Sequence, residues 1–84
     1  MKHRRLFEAA ISRFKAERDE ARSLLELYLN DPVAVGDHAT LVDDIVKLTS
    51  KLTEAEDNIN TLRTIDHYEG VKNRDRHHND KTKD

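Results

Sequence analysis

Apolar residues recur in one rhythm along the second half of the chain. Leu41, Ile45, Leu48, Leu52, Ala55, Ile59 and Leu62 are separated by steps of 4, 3, 4, 3, 4 and 3. Alternating steps of three and four keep side chains on one stripe of a helix, so this is a heptad seam. Ile45, Leu52 and Ile59 take position a; Leu41, Leu48, Ala55 and Leu62 take position d. The next a position is Asp66, where the apolar seam ends. Thr40 followed by Asp43 has the spacing of a capping box, with Asp in place of Glu. Asp37 is an alternative cap. Asp43 and Asp44 also suit the positive end of a helix dipole. The first half carries a broader apolar face of Phe7, Ala10, Ile11, Phe14, Ala21, Leu24, Leu25 and Tyr28, interrupted by Glu17 and Arg18.

Between these segments stand the single Pro32 and one of the two glycines, Gly36. Pro32 removes a backbone donor and disfavours helix at Asp31, which argues against one continuous helix. Gly36 supplies a backbone freedom that other residues lack. The spacing predicts helix 1 over about residues 3–30, a loop over 31–38 and helix 2 over about 39–69. A connection this short makes consecutive helices antiparallel neighbours. Folding back about it pairs residues whose numbers add to about 69. Phe7 then meets Leu62, Phe14 meets Ala55, Ala21 meets Leu48, Leu24 and Leu25 meet Ile45, and Tyr28 meets Leu41. Small residues face large ones in both directions, as close packing requires. The expected fold is all-α: a two-helix antiparallel, coiled-coil-like hairpin over residues 1–69, able to dimerise into a four-helix bundle. Residues 70–84 hold one aliphatic side chain, Val71, and are expected to form a disordered charged tail.

Composition narrows the function. The chain has 84 residues, of which 36% are hydrophobic, 5% aromatic and 38% charged. That allows one domain with a thin core. There is no cysteine, so disulfides and thiolate metal sites are excluded. With those supports gone, oligomerisation is the remaining one for so small a fold. No apolar run approaches the ~20 residues of a membrane span, and the basic opening has no signal-peptide core behind it. A cytoplasmic location is expected. The net charge of −2 is unevenly spread. Residues 1–30 carry seven Lys/Arg and five Asp/Glu, residues 31–69 three and nine, and residues 70–84 five and three.

The loop Leu29-Asn30-Asp31-Pro32-Val33-Ala34-Val35-Gly36-Asp37-His38 resembles the turn of small helical proteins of tailed bacteriophages. That turn reads roughly Asn-Pro-Val-Gly-Val-Gly-Glu-His-Pro and is followed by an acidic heptad helix. Ala34 stands where the pattern has Gly, and Ala39 where it has Pro. The match covers roughly residues 29–62. The resemblance implies a phage origin and a hairpin fold; the family has no assigned activity, so it implies no mechanism. The setting would be the host cytoplasm or the virion.

Candidate chemistry is sparse. His3 could approach His67 across the helix pair, with His77 or His78 as a third ligand. Solvated histidines near helix ends are the simpler reading, and no metal or cofactor is expected. Ser12, Ser23 and Ser50 lie inside helices with no strained turn to expose them, and a two-helix hairpin offers no walled pocket to shift a carboxylate. Catalysis is not expected. Two surfaces remain. Lys2, Arg4 and Arg5 begin helix 1 beside the end of helix 2, from which Lys72, Arg74 and Arg76 leave, so the open end is basic and could contact a nucleic-acid phosphate. Asp75, Asp80, Asp84 and Glu69 dilute that patch. Leu6, Leu27, Leu29, Val33, Val35, Val42, Val46 and Ile65 are left over from the seam. Leu27, Leu29, Val33, Val35, Val42 and Val46 cluster at the loop end, the kind of patch that marks a protein contact. A non-enzymatic interaction or assembly protein is therefore expected. Its partner would be a second copy or another protein, and a small nucleic-acid-binding accessory protein is the alternative.

Overall fold

The computed structural model describes residues 3–31 and 40–83, with side chains described through Gly70. It is a two-helix hairpin. α1 runs Arg4–Asn30 and α2 runs Leu41–Lys83. The molecule is a rod of 70 × 20 × 16 Å. The long dimension is that of α2, whose 43 residues at ~1.5 Å each span about 65 Å. α1, with 27 residues, covers about 40 Å of it.

The ends of α1 fall where the sequence places them. It begins after His3, whose carbonyl accepts the Phe7 N–H at 3.1 Å. It ends when the Asp31 N–H donates to the Leu27 carbonyl at 2.8 Å. α2 opens just after Thr40, whose carbonyl accepts the Asp44 N–H at 2.9 Å. Asp43 and Asp44 occupy its first turn, where the unpaired backbone N–H groups favour negative charge. Pro32 and Gly36, and the alternative cap Asp37, lie outside the described residues.

The core is narrow. Among the described residues, Ile11, Ala21, Ala55 and Ile59 are the buried hydrophobic ones, each at most 5% exposed, and no polar residue is buried with them. Around them Phe7, Phe14, Leu25 and Tyr28 of α1 are half-buried, as are Leu41, Ile45, Leu48, Leu52 and Leu62 of α2. The α2 seam is thus the one its spacing predicts. On α1 the buried and half-buried positions include Phe7, Ile11, Phe14, Arg18, Ala21, Leu25 and Tyr28, which repeat the same steps of four and three. Two expectations change. Leu24, expected in the core opposite Ile45, is 39% exposed. It sits one residue off the α1 stripe, so the helix turns it out to a flank. Arg18, expected as an interruption, holds a seam position and is half-buried, with its Nε 2.9 Å from the Asp19 carboxylate. A long aliphatic stem lets arginine line a seam while its charged head reaches water. Arg18→Leu should raise stability by about 1 kcal/mol, because a side chain there is roughly three-quarters covered and full burial of a leucine brings ~1.5–3 kcal/mol. A lower melting temperature by circular dichroism would contradict this placement.

The register is close to the expected one. Tyr28 pairs with Asp44 and Arg4 with Asp66, pairs whose numbers add to 72 and 70. The buried Ile11 and Ile59 stand level by the same count. Relative to an expected total of about 69, the helices are displaced by less than one turn.

Residues 70–83 continue the helical backbone of α2 past Gly70. No proline follows Pro32, and Gly70 does not adopt the left-handed backbone that would end a helix. Yet α1 begins at Arg4, opposite Asp66, so α2 overhangs the pair. A polar helix with no partner gains nothing from packing and is marginal in water. Ending the chain after Glu69 should therefore move the melting temperature by less than ~2 °C, since stability shifts below ~0.3 kcal/mol are invisible in a domain this size. A fall of several degrees would mean the overhang is held by contacts.

Candidate protein-interaction surface

The grooves where the helices meet define two edges of the rod. On one, Glu17, Glu20 and Leu24 of α1 face Lys51 and Glu54 of α2, with Ala21, Leu48 and Ala55 between them. On the other, Arg18 and Arg22 of α1 face Glu56, Asn60 and Arg63 of α2, with Ile59 between them. Seven-residue steps hold a position on its flank, so these residues assign every other one along the rod. The first edge, named here for Lys51, takes in Leu6, Ala10, Arg13 and Leu27 of α1, then Ile65 and Tyr68 of α2. The second, named for Arg22, takes in Leu29 of α1, then Val42 and Val46 of α2.

This sorting divides the residues expected at the loop end between two flanks. Leu27, Leu29, Val42 and Val46 are all exposed, at 44, 61, 68 and 58%. Leu29, Val42 and Val46 lie together on the Arg22 edge, whereas Leu27 lies with Leu24 on the Lys51 edge. Val33 and Val35 fall outside the described residues. A second apolar group escaped the sequence reading. Leu6, Ile65 and Tyr68 are exposed together at the open end of the Lys51 edge. The signal was present, since Ile65 and Tyr68 stand two heptads beyond Lys51 and Glu54. It becomes visible only once the groove shows which flank those residues share.

The basic open end is weaker than its sequence suggests. Arg4 Nη1 donates to Asp66 Oδ1 at 2.9 Å, and Arg4 Nε lies 3.1 Å from Glu8 Oε1. The guanidinium also lies 4.7 Å from the Phe7 ring centroid. The hydrogen bond to Asp66 raises the Arg4 pKa, helped by the charges of Asp66 and Glu8. Both Arg4 and Asp66 hold a seam position, so they close the seam where its apolar residues stop. Arg4 is therefore engaged within the fold, and Arg5 is exposed. Lys2 lies outside the described residues, and Lys72, Arg74 and Arg76 lie on the helical overhang, where side chains are not described.

Other polar pairs hold the rod together at its surface. Arg22 Nη2 lies 3.3 Å from Glu56 Oε2 across the Arg22 edge. Exposed pairs of this kind contribute under ~1 kcal/mol and mainly set alignment. Near the loop, Tyr28 Oη donates to Asp44 Oδ2 at 3.3 Å. Partial burial raises the Tyr28 pKa, reinforced by the Asp44 charge and by that hydrogen bond. A phenol whose pKa is higher folded than unfolded stabilises the fold fully below the unfolded value. That contribution is lost as pH rises through the folded value. The hairpin should thus lose part of its stability above pH ~10, the ordinary tyrosine range. Tyr28→Phe should flatten that alkaline limb, measured as melting temperature against pH. An unchanged limb would assign it to other groups.

Among the described residues no group of three or more His, Asp, Glu or Cys is placed to hold a metal ion. His3 and His67 are both exposed. None of the described residues forms a helix long and apolar enough to cross a membrane. No protein-family model, characterised protein or solved structure matches the chain.

Proposed function

We propose that this hairpin is a non-enzymatic interaction or assembly protein that works through its exposed apolar edges. One observation carries the reading: among the described residues, eight large hydrophobic side chains are exposed and four hydrophobic residues are buried. They are grouped on two edges rather than scattered, and grouped exposed apolar surface marks sites of protein contact. The grooves are shallow and rimmed by solvated charges, which suits a docking face better than a reaction site. The resemblance of the loop favours a tailed-phage setting, with the protein acting in the host cytoplasm or within the virion.

The nucleic-acid alternative draws less support, because Arg4 is already paired with Asp66 and Glu8. Salt separates the two readings. A complex held by apolar edges should persist from ~50 to 200 mM salt, whereas one held by several phosphate contacts weakens ~10³-fold or more over that range. Affinity capture with the tagged chain at both salt concentrations tests this. A protein retained at both and lost with Val42→Glu supports the reading. Nucleic acid retained only at low salt would overturn it.

A further inference from the structure

The Lys51 edge carries apolar groups at both of its ends, with charge between. Along α1 this flank reads Leu6, Ala10, Arg13, Glu17, Glu20, Leu24 and Leu27, in steps of 4, 3, 4, 3, 4 and 3. All are exposed except Ala10, which is half-buried. The order of residue types is self-complementary under reversal. Read backwards against itself, Leu27 falls opposite Leu6, Leu24 opposite Ala10, Glu20 opposite Arg13, and Glu17 opposite Glu17.

We propose that the partner of the Lys51 edge is a second copy of this chain, docked α1 against α1 in antiparallel order about a two-fold axis near Glu17. The inference rests on the reading of the rod as an interaction protein and names the occupant of one of its edges. Three features of the surface choose this arrangement. The two apolar ends of the edge lie ~30 Å apart, so no single small contact covers both. A two-fold operation exchanges them, placing Leu24 and Leu27 of one copy against Leu6 and Ile65 of the other, and the reverse at the far end. Charge also selects the direction. Antiparallel order puts Arg13 opposite Glu20 twice, whereas parallel order would put Arg13 on Arg13, Glu17 on Glu17 and Glu20 on Glu20. The one like pair left, Glu17 against Glu17 at the axis, has cations at hand. Arg13 lies 3.8 Å from Glu17 on the same flank, and Lys51 lines the same groove. The result is a four-helix arrangement in which each α1 has α2 on one side and the second α1 on the other. Contacts centre on the middle of the rod rather than on the loop end, and the Arg22 edge with Leu29, Val42 and Val46 stays free.

The test is the oligomeric state of the full chain by sedimentation equilibrium at micromolar concentration, with a charge-exchange cycle. The expected species has twice the 9.8 kDa of one chain. Arg13→Glu and Glu20→Arg should each weaken it at least ~10-fold by setting like charges opposite one another, and the double exchange should restore it. Both positions are exposed and off the seam, so circular dichroism should show unchanged helicity in all four proteins. A monomeric parent would overturn the inference, as would a dimer indifferent to either single exchange or a double variant that stays weak. A monomer that still loses a bound protein on Val42→Glu would leave the interaction reading standing with this edge wrongly assigned.

Discussion

Ile59→Ala should cost the hairpin ~2–5 kcal/mol, the range for removing a buried branched side chain that its surroundings cannot refill. Ile59 is 3% exposed and stands level with Ile11, the other buried isoleucine, at 5%. The rod has one seam and no second layer to close over a cavity. Small domains commonly hold only ~5–15 kcal/mol in total, so the loss is a large part of what this one has. At ~4–8 °C per kcal/mol for a chain of this length, the melting temperature should fall by at least ~8 °C. Val46→Ala is the matched control, because Val46 is 58% exposed and should change little. Phe14→Ala should be milder than its size suggests, since Phe14 is half-buried rather than enclosed. If melting followed by circular dichroism ranked Phe14 above Ile59, the seam would be centred differently from the structure.

Ala55→Leu should destabilise by ~1–3 kcal/mol, the cost of forcing added volume into an occupied space. The seam pattern by itself argues the opposite. Leucine is the favoured residue at position d, and helix propensity barely separates it from alanine. The structure decides the sign. Ala55 is 2% exposed, and Ala21, on the same groove, is 3% exposed. In this register Ala55 stands level with Phe14 and Ala21 with Leu48, so a larger side chain at Ala55 must displace the residues that already cover it. A thermal melt of the variant gives the answer. A higher melting temperature would show that the groove beside Ala55 admits the extra carbons.

The two experiments mark the line between pattern and packing. The steps of three and four on α2 were enough to identify its seam, because periodicity names the face of a helix whatever lies against it. The single Pro32 and the short connection were enough to give two antiparallel helices, and their predicted ends match α1 to within a residue. The register was legible to within a turn, since matching large residues to small ones constrains how far one helix can slide along another.

The rest depended on how the two helices are rotated and spaced, which neither periodicity contains. Leu24 looks like core when the α1 stripe is drawn wide; it is the contact with α2 that narrows the stripe and turns Leu24 out. Arg18 looks like a flaw until its place in the seam shows a stem against α2 and a head beside Asp19. Arg4 reads as half of a basic patch until the fold brings Asp66, sixty-two positions away, to its guanidinium. The leftover aliphatics stand near each other along the chain around the loop, and that nearness says nothing of the flank each one takes. Only the grooves reveal that they belong to opposite edges, and that Leu6, Ile65 and Tyr68 form a further group. Sequence determined the helices, their direction and one face of each, because those follow from local periodicity and backbone chemistry. Tertiary structure decided which flanks meet, because that is settled by side chains of two distant segments filling one space.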